Sequence, residues 1–60
     1  METTYKTNGS VTTKSMTEWY FGKKFVDKLT EAAKLMHEAT GEKSFKFWQN
    51  GTGHLTIEIN

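Results

Sequence analysis

The stretch SFKFWQNGTGHLTIEI, residues 44–59, decides the fold because it contains two alternating strands around a glycine-rich turn. Apolar and polar residues alternate on both sides of the turn, so one face of the predicted hairpin collects the large apolar side chains. These are Phe45, Phe47, Leu55, Ile57 and Ile59. The chain turns through Asn50, Gly51, Thr52 and Gly53, and an odd-length loop there pairs Phe47 with Leu55 and Phe45 with Ile57. We therefore predict strands over roughly residues 43–49 and 54–59.

The same alternation places Trp48 on the outer face of this hairpin. There Trp48 lies across from His54, and Lys46 lies across from Thr56. An aromatic residue among lysines on a sheet is typical of single-stranded nucleic-acid binders, whose bases stack on the ring. An exposed tryptophan is also a typical anchor of protein interfaces. The purely structural interpretation is that Trp48 packs over His54 and shields the hydrogen bonds of the sheet.

The N-terminal segment, residues 1–15, is rich in threonine and contains Asn8-Gly9, a strong hairpin signal. A two-residue turn would send Tyr5 and Val11 to opposite faces. A three-residue loop over residues 7–9 pairs Tyr5 with Val11 instead, and we prefer it because one residue of slip exchanges the faces. The predicted inner face then holds Met1, Thr3, Tyr5, Val11 and Thr13, and the outer face holds Glu2, Thr4, Lys6, Ser10, Thr12 and Lys14.

Between the hairpins, apolar residues from about Thr17 to Thr40 recur at helical spacing. The stripe consists of Phe25, Val26, Leu29, Ala32, Ala33 and Met36. Ser15 or Thr17 can cap the start of the helix, and Gly41 can end it. A helix over residues 18–40 would be about 34 Å long, against about 20 Å for a six-residue strand. Gly22 therefore either permits close packing on the strands or marks the true start, leaving residues 19–21 in the connection.

These elements predict a single α+β domain over residues 1–60, in the order ββαββ. Its two hairpins form a four-stranded mixed sheet, joined through the first and last strands, with one helix packed on one face and a right-handed crossover. This order resembles the topology of the immunoglobulin-binding domains of streptococcal protein G across most of the chain, without a matching residue motif. The resemblance implies that partners would meet the helix and the adjacent edge strand.

The helix is apolar over a wider arc than one sheet contact requires. With Leu29 at the centre of the buried stripe, a turn of 100° per residue places Leu35 about 120° away and directs Tyr20 outward. We expect Leu35 to be largely exposed. One interpretation is a dimer or partner interface formed by Trp19, Tyr20, Phe21 and Leu35. The other is that Phe21 and Leu35 lap over a sheet edge as ordinary core periphery.

Composition restricts the function classes. The chain has no cysteine, which excludes disulfides and thiolate metal sites. All eight basic residues are lysine, which disfavours sequence-specific DNA recognition because arginine supplies most bidentate base contacts. His37 and His54 have neither a His-Glu-x-x-His motif nor a nucleophile and orienting group at interpretable spacing. We therefore predict no enzymatic activity, cofactor, metal or small-molecule substrate.

The expected location is the cytoplasm, without a membrane partner. No apolar run approaches the roughly 20 residues that span a bilayer, and the N-terminal residues METTYKTNGS lack the apolar segment of a signal peptide. The formal net charge of +1 supplies no strong field for attracting a polyanion.

The predicted function is a small protein-binding module of the inhibitor or adaptor type, whose partner is another protein or a second copy in a homodimer. It would use either the hairpin surface of Lys46, Trp48, His54 and Thr56 or the helix flank of Trp19, Tyr20, Phe21 and Leu35. One alternative is a single-stranded nucleic-acid-binding domain in which Lys6, Lys14 and Lys46 contact phosphates beside Trp48. Another is a stable or designed scaffold without a target.

Overall fold

The computed structural model describes residues 2–51 and 53–60. Its elements are β1 (Thr3–Thr7), β2 (Ser10–Thr12), α1 (Lys14–Phe21), α2 (Lys23–Thr40), β3 (Ser44–Gln49) and β4 (Gly53–Ile59). The strands form one sheet in the order β2-β1-β4-β3, which confirms the predicted α+β class. Met1, predicted on the inner face, and Thr52, predicted in the second turn, lie outside the described residues.

The second hairpin has the predicted register. Phe45 pairs with Ile57 and Phe47 with Leu55 in an antiparallel ladder. β4 lies between β1 and β3, so its inward side chains are covered by neighbours on both sides. The buried core consists of Tyr5, Phe21, Val26, Ala33, Phe45, Leu55, Ile57 and Ile59, with Phe25, Leu29 and Phe47 packed against it.

The predicted register of the first hairpin was wrong. Tyr5 pairs with Thr12 rather than Val11, across a two-residue turn of Asn8 and Gly9. Both turn residues have positive φ, 50° and 88°, as a type I′ turn requires. This turn conformation decides the register, so Val11 moves to the outer face and is exposed. Thr12 takes the inner position that the sequence had assigned to Val11.

The helical region of the described chain contains two helices rather than one. α1 begins at Lys14, and its cap is Thr13, whose Oγ1 accepts a hydrogen bond from the Met16 N–H at 3.1 Å. The predicted caps Ser15 and Thr17 lie inside α1. Gly22 separates α1 from α2 with φ 97° and ψ 138°, a conformation open to glycine. Residues 19–21 are therefore helical, and Lys14, predicted on the outer face of the first hairpin, belongs to α1.

α2 ends where the sequence predicted. Gly41 adopts the left-handed conformation with φ 78°, and its N–H donates to the His37 carbonyl at 2.8 Å. The ring of His37 also lies 2.7 Å from the Glu42 carbonyl through Nδ1. These contacts hold the last turn of α2 against the chain that leads into β3.

The sheet is antiparallel rather than mixed. β1 and β4 run in opposite directions, unlike the parallel central pair that the protein-G-like topology requires. Thr12, at the end of β2, pairs with Tyr5 of β1. Ser44, at the start of β3, pairs with Glu58 of β4, which in turn pairs with Thr4 of β1. The connection therefore begins and ends at the same end of the sheet. A single helix along the sheet would end at the opposite end of the sheet from where it began. Two helices joined at Gly22 allow the chain to return to the end where β2 finishes and β3 starts.

Both helices lie on the inner face of the sheet. Thr17 of α1 contacts Thr12 of β2 at 2.8 Å, and Thr30 of α2 contacts the Tyr5 hydroxyl of β1 at 2.9 Å. No element of the described chain covers the other face of the sheet. That outer face displays Thr4, Lys6, Val11, Ser44, Lys46, Trp48, His54, Thr56 and Glu58.

Candidate protein-binding surfaces

Trp48 stands on the outer sheet face beside its predicted cross-strand neighbour. The rings of Trp48 and His54 are 4.6 Å apart between centroids and inclined at 48°. The ammonium group of Lys46 lies 5.8 Å from the Trp48 ring, within the range of a cation–π contact. Trp48 nevertheless remains 73% exposed. His54 therefore supports the ring without covering it.

The other predicted residues of this face are less available. Thr56 lies between Lys6 and Lys46 and is half-buried. Lys6 forms an ion pair with Glu58 at 3.1 Å. Lys14 belongs to α1 on the other side of the sheet. Of the lysines proposed for phosphate contacts, Lys46 alone has its side chain on this face without an ion pair among the described residues.

A second exposed apolar surface lies on α1. Met16, Trp19 and Tyr20 have the spacing i, i+3 and i+4, which places them on one face of the helix. All three are exposed, and Trp19 reaches 80%. Thr17 and Phe21 are the buried residues of this helix. We call Met16, Trp19 and Tyr20 the α1 aromatic face.

Phe21 belongs to the core, which contradicts the interpretation that placed it on a partner surface. It is 8% exposed and stacks on Phe25 with 6.0 Å between ring centroids. Tyr20 meets it edge-on at 4.9 Å. The core thus fixes the position of α1 through Phe21, while Tyr20 is shared between the core and the surface.

Met16 was missing from the predicted surface, although a signal for it was present. Its spacing to Trp19 and Tyr20 is that of one helix face, but the predicted helix began after it. The cap at Thr13 reveals that α1 already includes Met16. Thr13 at the cap position is therefore the sequence signal that places Met16 on this face of α1.

Leu35 is exposed, as predicted, at 63%. Val26 and Ala33 are the buried residues of α2, so they mark the side that faces the sheet. At 100° per residue, Leu35 lies about 180° from Val26. It therefore points directly away from the sheet, which excludes the interpretation that Leu35 is core periphery at a sheet edge.

An ion-pair cluster joins the two helices. The Nζ of Lys23 lies 3.0 Å from Asp27 Oδ2 and 3.9 Å from Glu18 Oε2. The hydrogen bond to Asp27, then the charges of Asp27 and Glu18, raise the pKa of Lys23 above its ordinary 10.5. This cluster connects α1 to the first turn of α2 across Gly22.

A polar groove of about 430 Å³ lies on the inner side of the sheet next to β2. Its lining comprises Thr3, Thr4, Tyr5, Thr12, Thr13, Lys14, Thr30 and Lys34. The Thr30 hydroxyl donates to the Val26 carbonyl at 2.7 Å, so the Tyr5 hydroxyl must be the donor to Thr30. These described lining residues include no carboxylate or imidazole, so the groove has no side chain suited to general-base catalysis at neutral pH.

No group of three or more His, Asp or Glu residues in the described chain is arranged to hold a metal ion. None of its described helices combines the length and apolar character needed to span a bilayer. Comparison of the chain with protein-family models, with curated proteins and with solved structures finds no match in any of the three. The proposals below accordingly rest on the geometry of the chain itself.

Proposed function

We propose that this protein is a small non-enzymatic binding module of the inhibitor or adaptor type, which works by occupying a surface of another protein. The α1 aromatic face is the contact surface. The observation that carries the proposal is the 80% exposure of Trp19 on a helix whose buried side is anchored in the core. Tryptophan is enriched among the residues that dominate interface energies.

The helix is preorganised for such a contact. Its start is capped by Thr13, Thr17 is fully buried against β2, and Phe21 is held in the core. A partner therefore does not need to order α1 on binding, which removes part of the entropic cost of association. The spacing of Met16, Trp19 and Tyr20 suits a helix laid into an apolar groove, where anchors recur at i, i+3 and i+4.

The first experiment identifies the partner protein by crosslinking and then measures how much Trp19 contributes to the binding affinity. A photo-crosslinking amino acid at position 19 is compared with the same group at position 35, which points away from the sheet on α2. A protein captured from position 19 but not from position 35 is purified, and its affinity is measured against Trp19→Ala and the matched control Trp48→Ala.

We expect Trp19→Ala to weaken the affinity of a single chain for the captured protein by about 30-fold, the effect of a 2 kcal/mol anchor, and Trp48→Ala to leave this monovalent affinity unchanged. Because Trp19 is exposed, its replacement should not change the urea midpoint. Equal affinity of the Trp19→Ala variant and the wild type would refute the assignment of this face.

A second candidate function is single-stranded nucleic-acid binding on the outer sheet face. The observation that favours it is the exposed Trp48 ring with Lys46 beside it. Its charge is weaker than predicted, because Lys6 pairs with Glu58 and Lys14 lies on α1. In a Trp19→Phe variant, Trp48 becomes the single tryptophan reporter. Salt-sensitive quenching by a thymidine oligonucleotide would support this function, and its absence at low salt would reject it.

The cytoplasmic location predicted from the sequence is part of the main proposal, and cell fractionation tests it. A scaffold without a target, natural or designed, is the remaining alternative. It is supported if neither the crosslinking experiment nor the oligonucleotide titration detects a partner.

A further inference from the structure

β3 is an edge strand whose free side is open for pairing. Among the described strands it pairs with β4 alone. The Ile59 N–H donates to the Lys43 carbonyl at 2.7 Å, which fixes the phase of the antiparallel ladder. Because hydrogen-bonded and non-hydrogen-bonded pairs alternate, the backbone groups of Ser44, Lys46 and Trp48 point away from β4. They form a row of N–H and C=O groups at the free edge.

The side chains along this edge differ between its two sides. Lys46 and Trp48 are exposed on the outer face, while Phe47 is half-buried on the inner face next to the core. A strand added here would cover the side of Phe47 that faces the open edge. On the outer face it would place a third side chain next to the cross-strand pair of His54 and Trp48. Lysine on an edge is a common protection against unwanted pairing, so an acceptable partner must accommodate Lys46.

We propose that the occupant of this edge is the β3 strand of a second copy, paired antiparallel so that Lys46 of each copy lies opposite Trp48 of the other. Phe47 then meets its counterpart at the two-fold axis, as a non-hydrogen-bonded pair whose Cα atoms are about 4.5 Å apart. The two hydrogen-bonded pairs are Lys46 with Trp48 and its symmetry equivalent.

This register follows from charge and aromatic complementarity. A shift that places Lys46 opposite Lys46 sets like charges directly across the strands, which is destabilising. A shift that places Trp48 opposite Trp48 moves Lys46 against the turn residue Asn50 and so removes it from the Trp48 ring of the other copy. The proposed register instead sandwiches each Trp48 between His54 of its own chain and Lys46 of the other.

The two side chains that complement each other, Lys46 and Trp48, belong to the same strand. A second copy of this chain therefore fits the edge better than an unrelated peptide. A two-fold interface requires that one surface match itself, with each residue contacting the counterpart of its own partner. β3 meets this requirement because Phe47 lies on the two-fold axis, with Lys46 on one side of it along the strand and Trp48 on the other. The opposite edge does not, since β2 has three residues and Val11 alone directs its backbone groups outward.

In this dimer the two four-stranded sheets become one continuous sheet, and the two-fold axis is perpendicular to it. Both helix layers therefore lie on the same side, each displaying Trp19. Two linked contact surfaces increase avidity without a new contact. The dimer itself does not rest on the proposed function, because it involves β3 and not the α1 aromatic face.

The first test is sedimentation over a wide concentration series with an edge-blocking proline. Lys46→Pro removes an N–H that bonds nothing in the monomer, and Val11→Pro is the matched change at the other edge. We expect a concentration-dependent dimer for the wild type and Val11→Pro, weakened at least about tenfold in Lys46→Pro. A wild type that stays monomeric throughout, or a dimer that Lys46→Pro leaves intact, overturns the proposal.

The second test fixes the register by disulfide formation in a chain that has no cysteine of its own. Lys46→Cys and Trp48→Cys are both exposed-site variants. Mixed together, they should crosslink, because hydrogen-bonded pairs have Cα atoms about 5.5 Å apart. Each variant alone should not, since its two cysteines would be about 8 Å or more apart. Crosslinking within either variant alone, or none in the mixture, overturns the proposed register.

Discussion

Asn8 and His54 are joined by two hydrogen bonds where the first turn meets β4. The Asn8 N–H donates to the His54 carbonyl at 3.0 Å, and the His54 N–H donates to Asn8 Oδ1 at 2.9 Å. The side chain of Asn8 thus takes the position of a main-chain carbonyl and extends the β1–β4 ladder by one residue. This contact holds in place the strand on which the Trp48 ring rests.

Asn8→Ala should lower the free energy of unfolding by about 2 kcal/mol. Alanine loses the side-chain bond that Asn8 Oδ1 accepts from the His54 N–H, and it also has to adopt the positive φ of the turn. Asn8→Gly loses the same bond without the conformational strain, so about 1 kcal/mol is expected. Urea denaturation of both variants measures the difference, and equal losses would mean that turn strain contributes nothing.

Gly53→Ala should destabilise the protein more than Gly51→Ala. Both residues have positive φ, but an added Cβ at residue 53 would overlap Asn8 Oδ1, whereas residue 51 has open space. We expect an excess of about 1–3 kcal/mol in the free energy of unfolding. The excess should vanish in an Asn8→Gly background. If it persists there, the collision with Asn8 is not its cause.

Thr12 and Thr17 should show energetic coupling. Thr17 Oγ1 donates to the Thr13 carbonyl at 2.8 Å, so the Thr12 hydroxyl must donate to Thr17 and in turn accept from Thr7. Thr17→Val should cost about 1–3 kcal/mol because the half-buried Thr12 hydroxyl loses the acceptor for its proton and keeps only the bond from Thr7. A double-mutant cycle with Thr12→Val should give a coupling of about 1 kcal/mol. Strict additivity would contradict this directed chain of hydroxyls.

Gly22→Ala should reduce stability by about 1–3 kcal/mol, because φ 97° and ψ 138° lie in a region that alanine rarely adopts. No described atom within 4 Å would obstruct the added methyl group, so the loss is conformational. Lys24→Ala serves as the control, an exposed substitution in the first turn of α2, and should change the thermal midpoint little. Equal midpoints for the two variants would show that the junction tolerates an ordinary residue.

Lys23 should titrate above its ordinary pKa of 10.5. A pKa raised in the folded state means that the ion pair contributes stability at lower pH and loses it as the pH rises through the folded value. NMR titration of the Lys23 side chain measures this pKa directly. Asp27→Asn should return it toward 10.5, because Asp27 supplies the hydrogen bond and the largest charge effect. An unchanged pKa in that variant would assign the shift to another group.

The features predicted correctly from the sequence depend on neighbours that are close along the chain. The register of the second hairpin follows from apolar alternation on both of its strands, and the contact of Trp48 with His54 follows from that register. The end of α2 at Gly41 is likewise a local signal, since glycine adopts the left-handed conformation readily. The exposure of Leu35 required only the helical repeat.

The errors arose where two rules competed. In the first hairpin, burial of Val11 favours one register and the turn preference of Asn8-Gly9 favours the other, and the turn prevails. The inner position could be filled by Thr12 because Thr7 and Thr17 satisfy its hydroxyl group. That partnership joins β1, β2 and α1, so the alternation of β2 alone does not reveal it.

The α1 aromatic face was predicted in part for a similar reason. The sequence predicts Trp19 and Tyr20 as contact residues. The assignment of Met16 to the surface and Phe21 to the core requires the start of α1 and its packing. Phe21 is buried because it stacks on Phe25 beneath α1. The spacing of apolar residues does not say which of two apolar sides of a short helix faces the sheet.

By itself the sequence determined the second hairpin with its register, the α+β class, the end of α2 at Gly41 and the exposed ring of Trp48, because alternation and positive-φ preferences act within a few residues. The tertiary structure decided that β1 and β4 are antiparallel, that two helices make the connection and that β3 is left with an open edge. These depend on where the helices return the chain, which is set by the packing of Phe21 and Val26 against strands distant in sequence.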